Sequence, residues 1–299
     1  MRWKGRRESD NLEDRRGGGV KAGGISILGL VVAFVAWKFF GVDPQQAYQV
    51  TKQVTQQQTP SNQSLEHPTQ AQQEAKQFVS TIQADTEDTW SAIFKAHQMQ
   101  YKAPKLVLYS GVTPTACGTG QAAMGPFYCP SDQTVYLDTQ FFVEMRQELG
   151  ISGNQNHTEL SRNDQAGDFA LAYVIAHEVG HHVQNLFGIS DKVLNQRRQL
   201  SQAQGNQLSV RQELQADCFA GIWAKSNDER THFLETGDID QAMDAAQKIG
   251  DDYLQKRSTG QIVPDSFTHG TSQQRMTWFK RGFESGDLNQ CNTFTQGSV

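Results

Sequence analysis

The sequence predicts a mainly α (α+β) globular domain carried behind a single transmembrane helix and a disordered Gln-rich tether. Three observations lead there: an uncharged apolar run from Ala22 to Trp37, a Gln/Thr/Ser/Pro-rich stretch after it, and apolar positions at helical spacing through most of the chain beyond Glu74. The 299 residues are 37% hydrophobic and 20% charged, enough for a packed core once the low-complexity stretch is set aside. The net charge of −5 is unevenly spread. Residues 1–21 hold seven Lys/Arg against four Asp/Glu, which makes that segment +3 and leaves −8 for the rest. Neutralising phosphates needs a surplus of Lys and Arg, so the acidic remainder argues against nucleic acid as a partner.

Taken in order, residues 1–21 read as a basic cytoplasmic N-terminus and 22–42 as a membrane anchor. At 1.5 Å per residue the sixteen residues from Ala22 span only about 24 Å of a hydrocarbon core roughly 30 Å thick, so Lys38 must snorkel while Phe39, Phe40 and Val42 extend the span. A cleaved signal peptide ending near Ala33–Ala36 would need an unusually long charged leader and would leave Trp37-Lys38-Phe39-Phe40 as a poor mature start. Arg2, Lys4, Arg6, Arg7, Arg15, Arg16 and Lys21 precede the run, so the positive-inside rule predicts a single-pass protein of the inner (cytoplasmic) membrane, its domain in the periplasm or outside the cell. Residues 43–73 lack the apolar side chains to order themselves and read as a flexible linker.

The domain then occupies 74–299. Phe78, Ile82, Trp90, Ile93 and Phe94 mark a first helix; Leu106–Tyr109 and Thr134–Leu137 look like short strands around a Gly/Pro-rich excursion from Gly111 to Pro130; further helices are expected at about 140–149, 165–187, 206–225, 239–256 and 271–284.

The 165–187 helix contains His177-Glu178-Val179-Gly180-His181, an H-E-x-x-H motif. Positions i and i+4 share a helix face, so both imidazoles can bind one Zn²⁺ while Glu178 stands beside a water that the ion activates. Phe169, Tyr173, Ala176, Gly180, Val183 and Phe187 form a separate apolar face, which packs the helix into a core. A hydrolytic zinc site needs a third protein ligand. On the next helix Glu213 and Asp217 lie one turn apart; Glu213 could ligate the ion and Asp217 could accept the outer N–H of a ligating His. A third His six residues after His181 would indicate the metzincin pattern, but that position is Phe187. His182 is turned about 100° from the ligand edge, supporting the site from behind or lying at the surface. His67, His97, His157 and His232 have no partner at ligand spacing.

These segments together resemble the bacterial neutral zinc metallopeptidases described as YpfJ-like, membrane-anchored relatives of the gluzincins. The resemblance covers almost the whole chain outside the tether. It rests on Met1-Arg2-Trp3 through Glu13-Asp14-Arg15-Arg16-Gly17, GPFYCP at 125–130, VYLD at 135–138, HEVGHHVQN at 177–185, ELQADCFAG at 213–221 and HGTSQQR at 269–275. It implies a zincin-like domain with His177, His181 and Glu213 as zinc ligands, Glu178 as catalytic base and a protein or peptide as substrate. An oxyanion donor is expected from His269 or Arg275, with Arg275 better suited to bracing the site. The four cysteines, in an extracytoplasmic setting, suggest Cys117–Cys129 closing the Gly/Pro-rich excursion and Cys218–Cys291 pinning the tail, although four cysteines allow three connectivities. The competing functional reading is a zinc-site fold that serves as an envelope scaffold, and Glu178 argues against it because a structural site needs no base.

Overall fold

The computed structural model describes residues 1–18, 68–121, 125–141 and 167–295. Among these the protein is mainly helical with a few short strands, an α+β arrangement in which the helices enclose the core and a small sheet lies against them.

The first long helix, α1 (Gln70–Ala96), begins four residues ahead of the expected start at Glu74, because Thr69 and Gln72 form a capping box: Thr69 Oγ1 accepts from the Gln72 N–H at 3.2 Å and Gln72 Oε1 from the Thr69 N–H at 2.8 Å. The linker reading thus fails for residues 68–73. Phe78, Val79, Ile82, Trp90 and Phe94 of α1 enter the core, and Ile93 packs at its margin.

A four-stranded sheet follows in the order β1-β2-β6-β5, formed by β1 (Leu12–Asp14), β2 (Lys105–Tyr109), β6 (Thr134–Asp138) and β5 (Phe127–Cys129). β1, β2 and β6 run parallel and β5 pairs antiparallel with β6. Alternation along β2 and β6 sends Leu106, Leu108, Val135 and Leu137 into the helical core, and Val107, Tyr109 and Tyr136 to a smaller cluster with Cys129 and Phe127. A hairpin of β3 (Val112–Thr115) and β4 (Gly118–Gln121) occupies part of the Gly/Pro-rich excursion.

Strand β1 corrects the domain reading at the N-terminus. Residues 1–18 do not stand apart as a basic leader; Met1 and Trp3 are buried, the Trp3 indole N–H donates to Asp168 at 2.9 Å, and β1 is an edge of the sheet. Four of the basic residues are paired with carboxylates: Arg6 with Asp85, Arg7 with Glu87 and Asp88, Arg15 with Glu13, and Arg16 with Asp14. The apolar run 22–42 and the linker up to residue 67 lie outside the described residues, as do the expected helix beyond residue 141, His67 and His157. Among the described residues no helix is long and apolar enough to cross a membrane.

The remaining helices are α2 (Asp168–Leu186), α3 (Ile189–Arg197), α4 (Gln202–Thr231), α5 (Asp238–Lys248), α6 (Asp251–Thr259) and α7 (Ser272–Ser285). The single helix expected over 239–256 is two. It breaks at Gly250, whose extended backbone lies so close to Ser272 that a Cβ there would overlap the Ser272 backbone. Gly221 of α4 and Gly282 of α7 meet in the same way: a Cβ on either would collide with the other helix's backbone, so their pairing sets how closely α7 lies on α4.

Candidate metal centre

The site forms where α2 crosses α4. At the crossing a Cβ on Gly180 would stand 3.0 Å from the Ala216 carbonyl oxygen, so glycine lets the two backbones approach. Around that point lie His177 and His181 of α2 and Glu213 and Asp217 of α4. One imidazole nitrogen each from His177 and His181 and a Glu213 carboxylate oxygen all lie within 4.8 Å of one another. His177 Nε2 is 3.1 Å from Glu213 Oε2, and His181 Nε2 is 3.4 Å from Glu213 Oε1. Two imidazoles and a carboxylate are donors that zinc takes, so the residues fit that ion in kind.

Both outer nitrogens are occupied, which turns the Nε2 lone pairs toward the centre. His177 Nδ1–H donates to Asp217 Oδ1 at 2.8 Å and His181 Nδ1–H to Gln184 Oε1 at 2.9 Å. Asp217 is fully buried and also accepts from the Tyr173 hydroxyl at 2.6 Å and from Arg275 Nε and Nη2, each at 2.9 Å. Burial opposes charge on this carboxylate, but Arg275 and His177 hold its pKa below the usual aspartate range. In the metal-free protein burial likewise opposes the His177 cation, yet Asp217 and Glu213 raise its pKa to about 10. Glu213, despite its own desolvation, is held well below the usual carboxylate range by His181 and His177. Zinc would replace the protons these groups share.

Gln184 extends the support outward. Its amide donates to the Gln212 carbonyl at 2.7 Å and to Gln215 Oε1 at 3.1 Å, and Gln215 donates to the Cys291 carbonyl at 3.0 Å. Cys291 is bonded to Cys218 of α4, and Cys117 to Cys129. The tail disulfide therefore closes a chain of amides that ends on a ligand imidazole.

Glu178 is buried on α2 and close enough to His181 to raise that imidazole's pKa, behind burial and the larger effect of Glu213. His269 lies on the loop before α7 with its side chain 53% exposed, and its Nδ1 is 3.2 Å from Asp251 Oδ1. Asp251 also accepts the backbone N–H groups of Thr268, His269 and Gly270 at 2.7, 2.6 and 3.1 Å, so it shapes the loop that carries His269. Burial disfavours the His269 cation, but Asp251 and Glu213 hold its pKa above the ordinary imidazole value. Arg275 is buried and reaches Asp217 and Tyr173. That places it as a brace behind His177.

His182 is not at the surface. It is buried, accepts from the Tyr128 hydroxyl at 2.9 Å and donates Nε2–H to the Lys102 carbonyl at 2.7 Å, tying α2 to β5; burial pushes its pKa down to about 4. The sequence places Tyr173 only on the apolar face of its helix and gives no role to Gln184 or Asp251. Tyr173 and Gln184 sit one turn from a ligand His, a usable signal, whereas Asp251 reaches the site only through the break at Gly250.

The family model described as "Putative neutral zinc metallopeptidase" matches residues 1–294. The chain belongs to this family. Its relatives include the "Uncharacterized protein YpfJ" of Escherichia coli (strain K12), 50% identical over 305 aligned positions, covering 98% of this chain and 99% of that protein. An uncharacterized protein of Mycobacterium tuberculosis (strain H37Rv) is 39% identical over 235 positions, covering 76% of this chain and 74% of its own. No solved structure matches. The metallopeptidase family's match takes in residues 1–18 together with His177, His181 and Glu213.

Proposed function

We propose that the chain is a zinc-dependent endopeptidase with His177, His181 and Glu213 as ligands and Glu178 as general base. The observation that carries this reading is the convergence of three ligand atoms whose outer hydrogen bonds are already made, with a carboxylate adjoining the first ligand in sequence. When bound, the ion supplies Lewis acidity that acidifies a water and polarises a peptide carbonyl. Glu178 takes the proton as the water oxygen bonds to the carbonyl carbon, then delivers it to the amine as the C–N bond breaks. His269, aimed by Asp251, donates to the oxyanion, while Asp217 and Arg275 fix the His177 ring.

Two disulfides support action in an oxidising compartment outside the cytoplasm. The apolar run 22–42 supports membrane association. The test is cleavage of a peptide library by the purified full chain. Products that vanish on chelation and return with zinc are expected; cleavage unaffected by metal removal would overturn the reading.

A further inference from the structure

Helix α4 carries two stripes with different partners. Glu213 and Asp217 turn to the metal centre, whereas Arg211, Gln215 and Cys218, spaced by four and three residues, turn to residues 291–293. There Cys218 is bonded to Cys291, and Gln215 Nε2 donates to the Cys291 carbonyl at 3.0 Å. Arg211 donates to the Thr293 carbonyl, and its own carbonyl accepts from the Thr293 hydroxyl at 2.6 Å. Cys218, Cys291 and Thr293 are fully buried, so this tail is packed into the fold.

The bonds that run from the tail to His181 have a fixed direction. A backbone carbonyl can only accept, so the Cys291 carbonyl requires the NH2 end of Gln215 and turns Gln215 Oε1 toward Gln184. Gln184 must then offer its own NH2, whose two hydrogens go to Gln215 Oε1 at 3.1 Å and to the Gln212 carbonyl at 2.7 Å. That leaves Gln184 Oε1 for the His181 ring, 2.9 Å from Nδ1. A neutral His181 therefore carries its proton on Nδ1 and keeps the Nε2 lone pair on the side of Glu213. Gln184 and Gln215 are both buried, away from water that could replace a bond the tail gives up; losing it would strand a Gln184 N–H and loosen the amide that aims the ring.

We infer that the Cys218–Cys291 disulfide acts on the metal centre: through Gln215 and Gln184 it holds the His181 ring, so the centre takes zinc at full strength only in the oxidised chain. Closing the bond removes two protons and two electrons from the two thiols, and the electrons pass to a disulfide oxidant that is itself reduced to two thiols. With the bond open, residues 288–295 lose their covalent tie to α4 and the Cys291 carbonyl is free to leave Gln215. The inference rests on the zinc reading of His177, His181 and Glu213, and not on peptide cleavage.

The test is the zinc affinity of the full chain, measured by competition with a chromophoric chelator. The unaltered protein is compared with Gln215→Leu, with Cys218→Ala and Cys291→Ala together, and with all three substitutions combined. Gln215→Leu and the paired cysteine replacement should each weaken zinc binding about tenfold, the lower end of what a partner behind a metal ligand contributes. The triple variant should bind no more weakly than either, because both changes cut the same relay. Unchanged affinity in Gln215→Leu would overturn the inference, and so would a cysteine effect of the same size with and without Gln215, which would route the coupling through Asp217 or through the stability of the fold. Should the cysteine-free chain fail to fold, Gln215→Leu, which keeps the disulfide, still decides between weakened and unchanged binding. An unaltered chain that binds no zinc would overturn the zinc reading itself, and this inference with it.

Discussion

Gly180 and Ala216 meet backbone to backbone where α2 crosses α4, and His177, His181 and Glu213, which could hold a metal ion, stand on either side of that contact. Gly180→Ala would drive a methyl into the Ala216 carbonyl and separate the helices by a few tenths of an ångström. The expected outcome is a loss of about 1–3 kcal/mol in stability and a fall of about tenfold or more in zinc affinity, measured by chemical denaturation and by competition with a chromophoric chelator.

Arg275 neutralises a carboxylate that has no access to water. Arg275→Ala strands the Asp217 charge in the interior, so it should destabilise the fold by about 3–5 kcal/mol, with turnover per folded molecule changing less than the melting temperature. Asp217→Asn leaves the buried Arg275 charge without its counter-ion, so it too should destabilise the fold, and it should in addition weaken zinc binding by about 10–100-fold because it alters the acceptor for the His177 N–H.

Gln184 holds the other imidazole. Gln184→Ala should weaken zinc binding by about 10–100-fold, while Gln184→Glu, which keeps an acceptor for the His181 N–H but sets a carboxylate oxygen against the Gln212 carbonyl, should restore only part of it. Calorimetric zinc titration of both variants separates lost orientation from lost packing.

His269 is poised at the rim of the site with Asp251 behind it. His269→Ala should lower kcat by about 10²–10³ while leaving zinc content, melting temperature and KM nearly unchanged, as expected of a contact made only in the transition state. Zinc loss in this variant would show that His269 is itself a ligand.

How far the site could be read from the sequence follows from the range of the contacts. His177 and His181, and Glu213 and Asp217, are pairs one turn apart on a helix, so local periodicity was enough to align each pair and to suggest a division of roles. The crossing of the two helices depends on Gly180 against Ala216, residues whose partnership leaves no local trace. Asp251 was hidden because the apolar spacing runs smoothly through Gly250, where the structure breaks the helix to let Ser272 approach. The start of α1 was legible in Thr69 and Gln72 but masked by the Gln-rich composition around them. Strand β1 was the largest surprise. A three-residue edge strand of Leu12, Glu13 and Asp14 set among arginines has the composition of a charged leader, and only its partners in β2 and α1 reveal it as part of the fold.

The most direct test of the central claim compares Glu178→Gln with the unaltered protein for zinc content and peptide cleavage in the same preparations. Glu178→Gln keeps all three ligands and removes only the base. One zinc per chain in both proteins, with cleavage lost in the variant, is the predicted result. Undiminished cleavage by the zinc-loaded variant would contradict the account.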